Sequence, residues 1–117
     1  GTGLGLFQAA KEHSEASGSK VWAIGVDSDQ YMTVDAELQD YVLTSMLKRV
    51  DTAVFEIIKA HIDGTFGAGE QRYDLSVDGV GYSTSGGFLD DIVDQLEELK
   101  AGIISGAIVV PTDPAEA

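Results

Sequence analysis

Apolar residues in this chain follow two rhythms. Leu4, Phe7 and Ala10 recur at helical spacing, with Lys11, Glu12 and Glu15 elsewhere, until Ser17-Gly18-Ser19 interrupts them. This predicts a helix of about three turns. Val50, Val54, Ile57 and Ile58 mark a second helix face at i, i+4, i+7 and i+8. Asp51 in its first turn suits the positive end of the helix dipole, and Gly64 lies just past its end. Leu89, Ile92, Val93, Leu96 and Leu99 give the cleanest amphipathic helix.

Strand-length runs lie between these helices. Lys20 to Val26 is apolar without alternation, which suits a strand covered on both faces, as in a parallel sheet. Tyr41 to Met46 reads as a second short strand, and an acidic loop without clear period, Tyr31 to Asp40, separates the two. Arg72 to Val77 alternates, as a half-exposed strand does. Asp78-Gly79 is a turn signal, after which Val80 to Tyr82 returns as a hairpin partner or an extended loop. Ser83 to Gly87 is expected to be a flexible connection. Ile108 to Pro111 closes as a short strand, and residues 112–117 form a frayed tail. The order predicts an α/β fold, with a parallel or mixed sheet between helices, in one domain over residues 1–111.

Composition narrows the function classes. Hydrophobic residues at 44% and charged residues at 23% describe a folded globular chain. Twenty acidic against seven basic residues, net −13, make a surface that repels phosphate backbones, so nucleic acid is not an expected partner. The absence of cysteine excludes disulfides, thiolate metal sites and cysteine nucleophiles. No apolar run approaches the roughly 20 residues that span a bilayer. The chain opens on Gly1 within a glycine-rich turn, and is expected to be a trimmed piece of a longer protein.

Two stretches could carry chemistry. Gly1-Thr2-Gly3-Leu4-Gly5 reads as a strand-to-helix turn whose glycines would let a ligand approach the backbone. Its spacing matches neither dinucleotide nor P-loop motifs. Asp27-Ser28-Asp29-Gln30 lies just beyond the carboxyl end of a buried strand, where open α/β sheets place ligands. Its carboxylates suit a vicinal diol, a divalent cation, or the loop's own backbone, and the residues alone leave these open. Lys48 follows the second strand. If the two strands are neighbours, it meets Asp27 or reaches a ligand oxygen; otherwise it is a surface charge. Trp22 reads as core. His13 and His61 sit among polar neighbours, and neither a G-x-S-x-G elbow nor H-E-x-x-H is present.

Three ordered motifs together resemble a known family. Residues 1–11 are similar to its "GGTGxGvfxAAk" segment without the first glycine. Ala23 to Gln30 matches "aIGVDsDQ", and Val42 to Asp51 matches "vlTSmlKrvD". Asp78-Gly79-Val80-Gly81 is similar to its "GGVg" turn, with an aspartate in place of one glycine. The resemblance is to the basic membrane protein family of ABC-transporter substrate-binding proteins, of the purine nucleoside receptor A type. It implies a type I periplasmic-binding-protein fold, a three-layer sandwich with a mostly parallel sheet. This chain would supply most of the C-terminal lobe, the N-terminal lobe lying outside it. It further implies an importer's receptor, not an enzyme, that binds a nucleoside, a purine nucleoside first, between two lobes. Asp27 would hold the ribose hydroxyls, Lys48 would reach the same sugar, and Gly1 or Gly3 would line the cleft. The residues that read the base belong mainly to the other lobe. The implied partners are the small-molecule ligand and a membrane permease, with no metal or cofactor. The implied location is extracytoplasmic, periplasmic or lipid-anchored on the outer face of the cell membrane. Two other classes compete: a nucleoside-sensing domain of a regulatory protein, and an α/β enzyme using Asp27, Asp29 and a lysine for acid–base work.

Overall fold

The computed structural model describes residues 2–113. Gly1, one of the expected cleft residues, and the end of the expected tail lie outside them. Among the described residues four α-helices and three strands follow in the order α1 (Thr2–Ser17), β1 (Ala23–Asp27), α2 (Ala36–Gln39), β2 (Val42–Lys48), α3 (Val50–Ile62), β3 (Val80–Tyr82) and α4 (Val93–Ile104). Single 3-10 turns stand at Gln30–Met32, Leu75–Val77 and Asp90–Ile92.

The sheet is mixed, in the order β1-β2-β3: β1 and β2 run parallel, and β3 returns antiparallel to β2. The register of the parallel pair slips once. Ala23 faces Val42, but Ile24 faces Thr44, so Leu43 is an extra residue in β2. This bulge lets Val42 and Ser45, three apart, both be fully buried, which an unbroken period of two would not give.

The core forms where α1 crosses β1 and β2. Phe7 and Ala10 of α1 meet Ala23, Val42 and Leu38 there, with Tyr31, Val34 and Tyr41 packed around them. Ser14 sets the approach of helix to sheet. Its hydroxyl donates to the Ala10 carbonyl at 2.6 Å and accepts from Val21 N–H at 2.8 Å. On the other side of the pleat, Met46 shares an apolar groove with Leu96, Leu99 and Ile103 of α4. Helix, sheet and helix are thus layered in the α/β manner.

Several expectations are corrected. The glycine-rich start is helical from Thr2, so Gly3 lies in the first turn of α1. The Tyr31–Asp40 stretch is not all loop: its short α2 delivers Leu38, 2% exposed, to the core. Strand β1 begins at Ala23, and its faces differ: Ala23 and Gly25 are buried, while Ile24 and Val26 are exposed. Trp22 lies outside the strand, 37% exposed, its ring 4.7 Å from Phe88 and 4.0 Å from the Lys20 ammonium.

Arg72–Val77 is not a strand. Asp74 accepts from the Ser76 N–H at 2.9 Å and the Ser76 hydroxyl at 2.6 Å, capping a 3-10 turn instead. The backbone then folds so closely that a β-carbon on Gly79 would stand 2.4 Å from Tyr73. Ile108–Pro111 does not pair either. Ile108 N–H donates to the Gly102 carbonyl at 3.0 Å, which wraps the segment over the end of α4.

Helix α3 forms as its periodicity predicts, yet it buries no residue. The whole chain exposes 8188 Å², where a compact monomer of its mass exposes about 6,100 Å². Its radius of gyration is 17.4 Å, against about 13 Å for a compact domain of this length. Among the described residues no helix is long and apolar enough to cross a membrane.

Candidate functional site

Parallel pairing brings the carboxyl ends of β1 and β2 to one rim. Asp27 closes β1, opposite Leu47, and Lys48 is the last residue of β2. The Lys48 ammonium lies 2.7 Å from one oxygen of Asp27. Both side chains are open to solvent, 55% and 67% exposed. So exposed a pair contributes little stability, about 0–1 kcal/mol. It does offer a ligand an acceptor and a donor side by side: the second carboxylate oxygen and the remaining ammonium hydrogens. A vicinal diol or a similar polar edge can use both.

The backbone at Asp27 is held in an unusual form. Its φ is 78°, in the left-handed region that few non-glycine residues occupy. Ser28 N–H donates to the Val26 carbonyl at 3.1 Å, closing a tight turn with Asp27 at its apex. Such a conformation costs about 1–3 kcal/mol and persists where the surroundings over-determine it.

An open cavity of about 490 Å³ lies beside this turn. Gly3 at the start of α1, Asp27 and Gln30 line it together with Leu4, Leu6, Ile24 and Val26. Gly3 therefore reaches the same space as Asp27. A β-carbon at Gly3 would come within 3.0 Å of the Gln30 side chain, so a larger residue would press on that amide.

Asp29, two residues from Asp27, is committed elsewhere. One oxygen accepts from the Ser85 hydroxyl at 2.5 Å, and the other is buried without a hydrogen-bond partner among the described residues. Asp27 and Asp29 thus face different partners. Among the described residues no group of three or more His, Asp or Glu side chains is gathered to hold a metal.

Sequence reasoning brought Asp27 and Lys48 together, conditional on strand adjacency, and the structure supplies that adjacency. It missed Ser45 and Ser85, and assigned Gln30 no role of its own. A signal was available: an isolated glycine inside an apolar strand, Gly25, marks a close approach of another group.

Comparison with known proteins places this site in context. The profile of a family described as Bmp, ABC transporter substrate-binding protein PnrA-like, matches residues 1–114. A CD4+ T-cell-stimulating antigen of Listeria monocytogenes is 37% identical over 97% of this chain and 34% of its own length. An ABC transporter nucleoside-binding protein, BmpA, of Lactococcus lactis is 36% identical over 96% of this chain and 34% of its own. Among solved structures, the ABC transporter system solute-binding protein of Aeropyrum pernix superposes with a TM-score of 0.62 at 30% identity. That match covers 97% of this chain and 39% of the other. The chain spans about a third of the length of the curated relatives it matches. The sequence, the α/β layering and these likenesses agree: the chain belongs to the Bmp family of PnrA-like ABC transporter substrate-binding proteins.

Proposed function

We propose that this chain is part of a two-lobed receptor that delivers a nucleoside to an ABC importer, with Asp27 and Lys48 gripping the ribose hydroxyls. The observation that carries the reading is the Asp27–Lys48 pair, 2.7 Å apart on the rim where two parallel strands end. A carboxylate oxygen accepts from sugar hydroxyls and an ammonium donates to them, so one pair suits both oxygens of a diol. The nucleoside-binding name of the Lactococcus relative supports the ligand class. A purine nucleoside is the first candidate. Gly3 in the same cavity, and Gly1 before it, would bring backbone close to the ligand.

In this reading residues 1–111 form most of the C-terminal lobe. The remaining polypeptide completes the cleft, reads the base and covers the apolar surface of α3. The exposed residues of that helix and the relatives' greater length support this. A membrane permease is the partner that receives the ligand, and the protein works on the outer side of the membrane, free in a periplasm or held by a lipid. The site binds and releases; it is not an enzyme's.

The test is calorimetric titration of adenosine, guanosine, inosine and uridine into the full-length protein and its Asp27→Ala variant. Sub-micromolar binding is expected, with a loss of about 2–5 kcal/mol in the variant. Heat with none of the four ligands, or full affinity without the Asp27 carboxylate, would sink the reading.

A further inference from the structure

The strained turn at Asp27 is tied down by side chains that the proposed ligand contacts do not use. Gly25 of β1 and Ser45 of β2 are partners in the parallel register. Ser45 is fully buried, and its hydroxyl accepts from the backbone N–H of Gln30 at 3.0 Å. The space it occupies exists because residue 25 has no side chain: a β-carbon there would stand 2.4 Å from that hydroxyl. Gln30 in turn donates through its side-chain amide to the Val26 carbonyl at 3.1 Å, closing the loop over Asp27.

A second tether comes from the loop after β3. Thr44 donates its hydroxyl to the Ser83 carbonyl at 2.6 Å, and Ser83 N–H donates to the Ser45 carbonyl at 2.9 Å. The buried Ser83 hydroxyl accepts from Ser85 N–H at 3.0 Å, and the Ser85 hydroxyl donates to Asp29. The segment Ser28–Gln30 is therefore held at both Asp29 and Gln30, from two different elements. These tethers and β1 hold the residues on both sides of Asp27.

We propose that Ser45, admitted by Gly25 and backed by the Asp29–Ser85 bond, is a positioning residue that holds the Asp27 carboxylate in its binding geometry. Ser45 touches no ligand; it acts through the turn. The affinity arm below rests on the nucleoside reading, and the exchange arm does not.

The experiment compares Ser45→Ala with wild type in the full-length protein. Without ligand, amide exchange at Ser28, Asp29 and Gln30 should rise tenfold or more, while amides inside α4 keep their rates. Adenosine affinity should fall about tenfold, the effect of one lost buried hydrogen bond acting on the contact geometry. In an Asp27→Asn background the same change should bring no further fall, because the group it positions is already altered. Ser85→Ala, closer to the surface, should raise exchange of the same three amides by a smaller factor and guards against a Ser45→Ala protein that fails to fold. Unchanged exchange at Gln30 in either variant overturns the proposal. So does an affinity loss that adds in full to that of Asp27→Asn. If wild type binds no nucleoside, the nucleoside reading fails while the exchange result still decides whether the latch exists.

Discussion

Helices α1 and α3 are of similar length, 16 and 13 residues, and α3 is the more apolar. Yet α1 buries Phe7, Ala10 and Ser14, and α3 buries nothing. Val50, Val54 and Ile58 of α3 are each at least half exposed. The difference lies in what each helix meets. α1 is followed by a strand that turns back beneath it, with Ser14 bonded to the incoming Val21. α3 leaves the sheet at Arg49, and none of its residues is buried against another element among the described residues. Helical periodicity reports that a face is apolar; it does not report where the surface that covers it is encoded.

The contrast can be broken or sharpened by experiment. The largest effect is expected in amide exchange of the 117-residue chain. Inner amides of α1 should exchange at least ~100-fold more slowly than those of α3. Equal protection would mean that α3 is packed in solution. Side-chain truncation comes next. Phe7→Ala should lower the unfolding free energy by about 3–5 kcal/mol, and Ile58→Ala by no more than about 0.5 kcal/mol, both read from urea denaturation. In the full-length protein, where we propose that α3 is covered, Ile58→Ala should rise to about 2–4 kcal/mol. If it stays small there, that cover is absent.

Asp27→Ala marks a third level. Its ion pair with Lys48 is open to water, so the unfolding free energy should move by no more than about 1 kcal/mol. Nucleoside affinity should be lost in the same protein. A large stability loss would reassign the pair to folding.

The smallest effect concerns Tyr82. Its hydroxyl donates to Glu97 at 2.6 Å, and this bond to the carboxylate, with burial and the nearby negative charge, raises its pKa above the ordinary tyrosine value of 10.0. The protonated form is the one the fold favours. Its contribution is therefore present below the unfolded pKa and lost as pH rises through the higher folded value. Ultraviolet titration should show a tyrosine ionisation above the ordinary range, and Glu97→Gln should lower it. A Glu97→Gln titration identical to that of the wild type would show that the bond does not persist in solution.

Much of this arrangement was legible in the sequence. The apolar run from Lys20 to Val26, with Asp27 just after it, and the strand from Tyr41 to Met46, with Lys48 two residues on, point to one rim once the two strands are neighbours. Two of the failures share a cause: a local hydrogen bond overrode a strand pattern. Arg72 to Val77 alternates like a strand, but Asp74 offers Ser76 a closer partner than any neighbouring strand does. Ile108 to Val110 has strand composition, but the backbone of α4 claims Ile108 first. The role of Ser45 stayed hidden because a hydroxyl in mid-strand has no periodicity. Only the register opposite Gly25 gives it meaning.

The extra residue in β2 also makes the chain unequally tolerant of different errors. Leu43 is half-buried, and replacing its side chain changes one modest contact. Deleting the residue would remove the bulge and leave Ser45 opposite Gly25 and Lys48 beside Asp27, because their pairings already skip it. Deleting Met46, beyond the bulge, would act as a frameshift in three dimensions: Leu47 and Lys48 would each move to the opposite face of the sheet, and Lys48 would be carried away from Asp27. One lost codon is thus absorbed at Leu43 and, a few residues on, dismantles the grip while leaving both of its residues in the sequence.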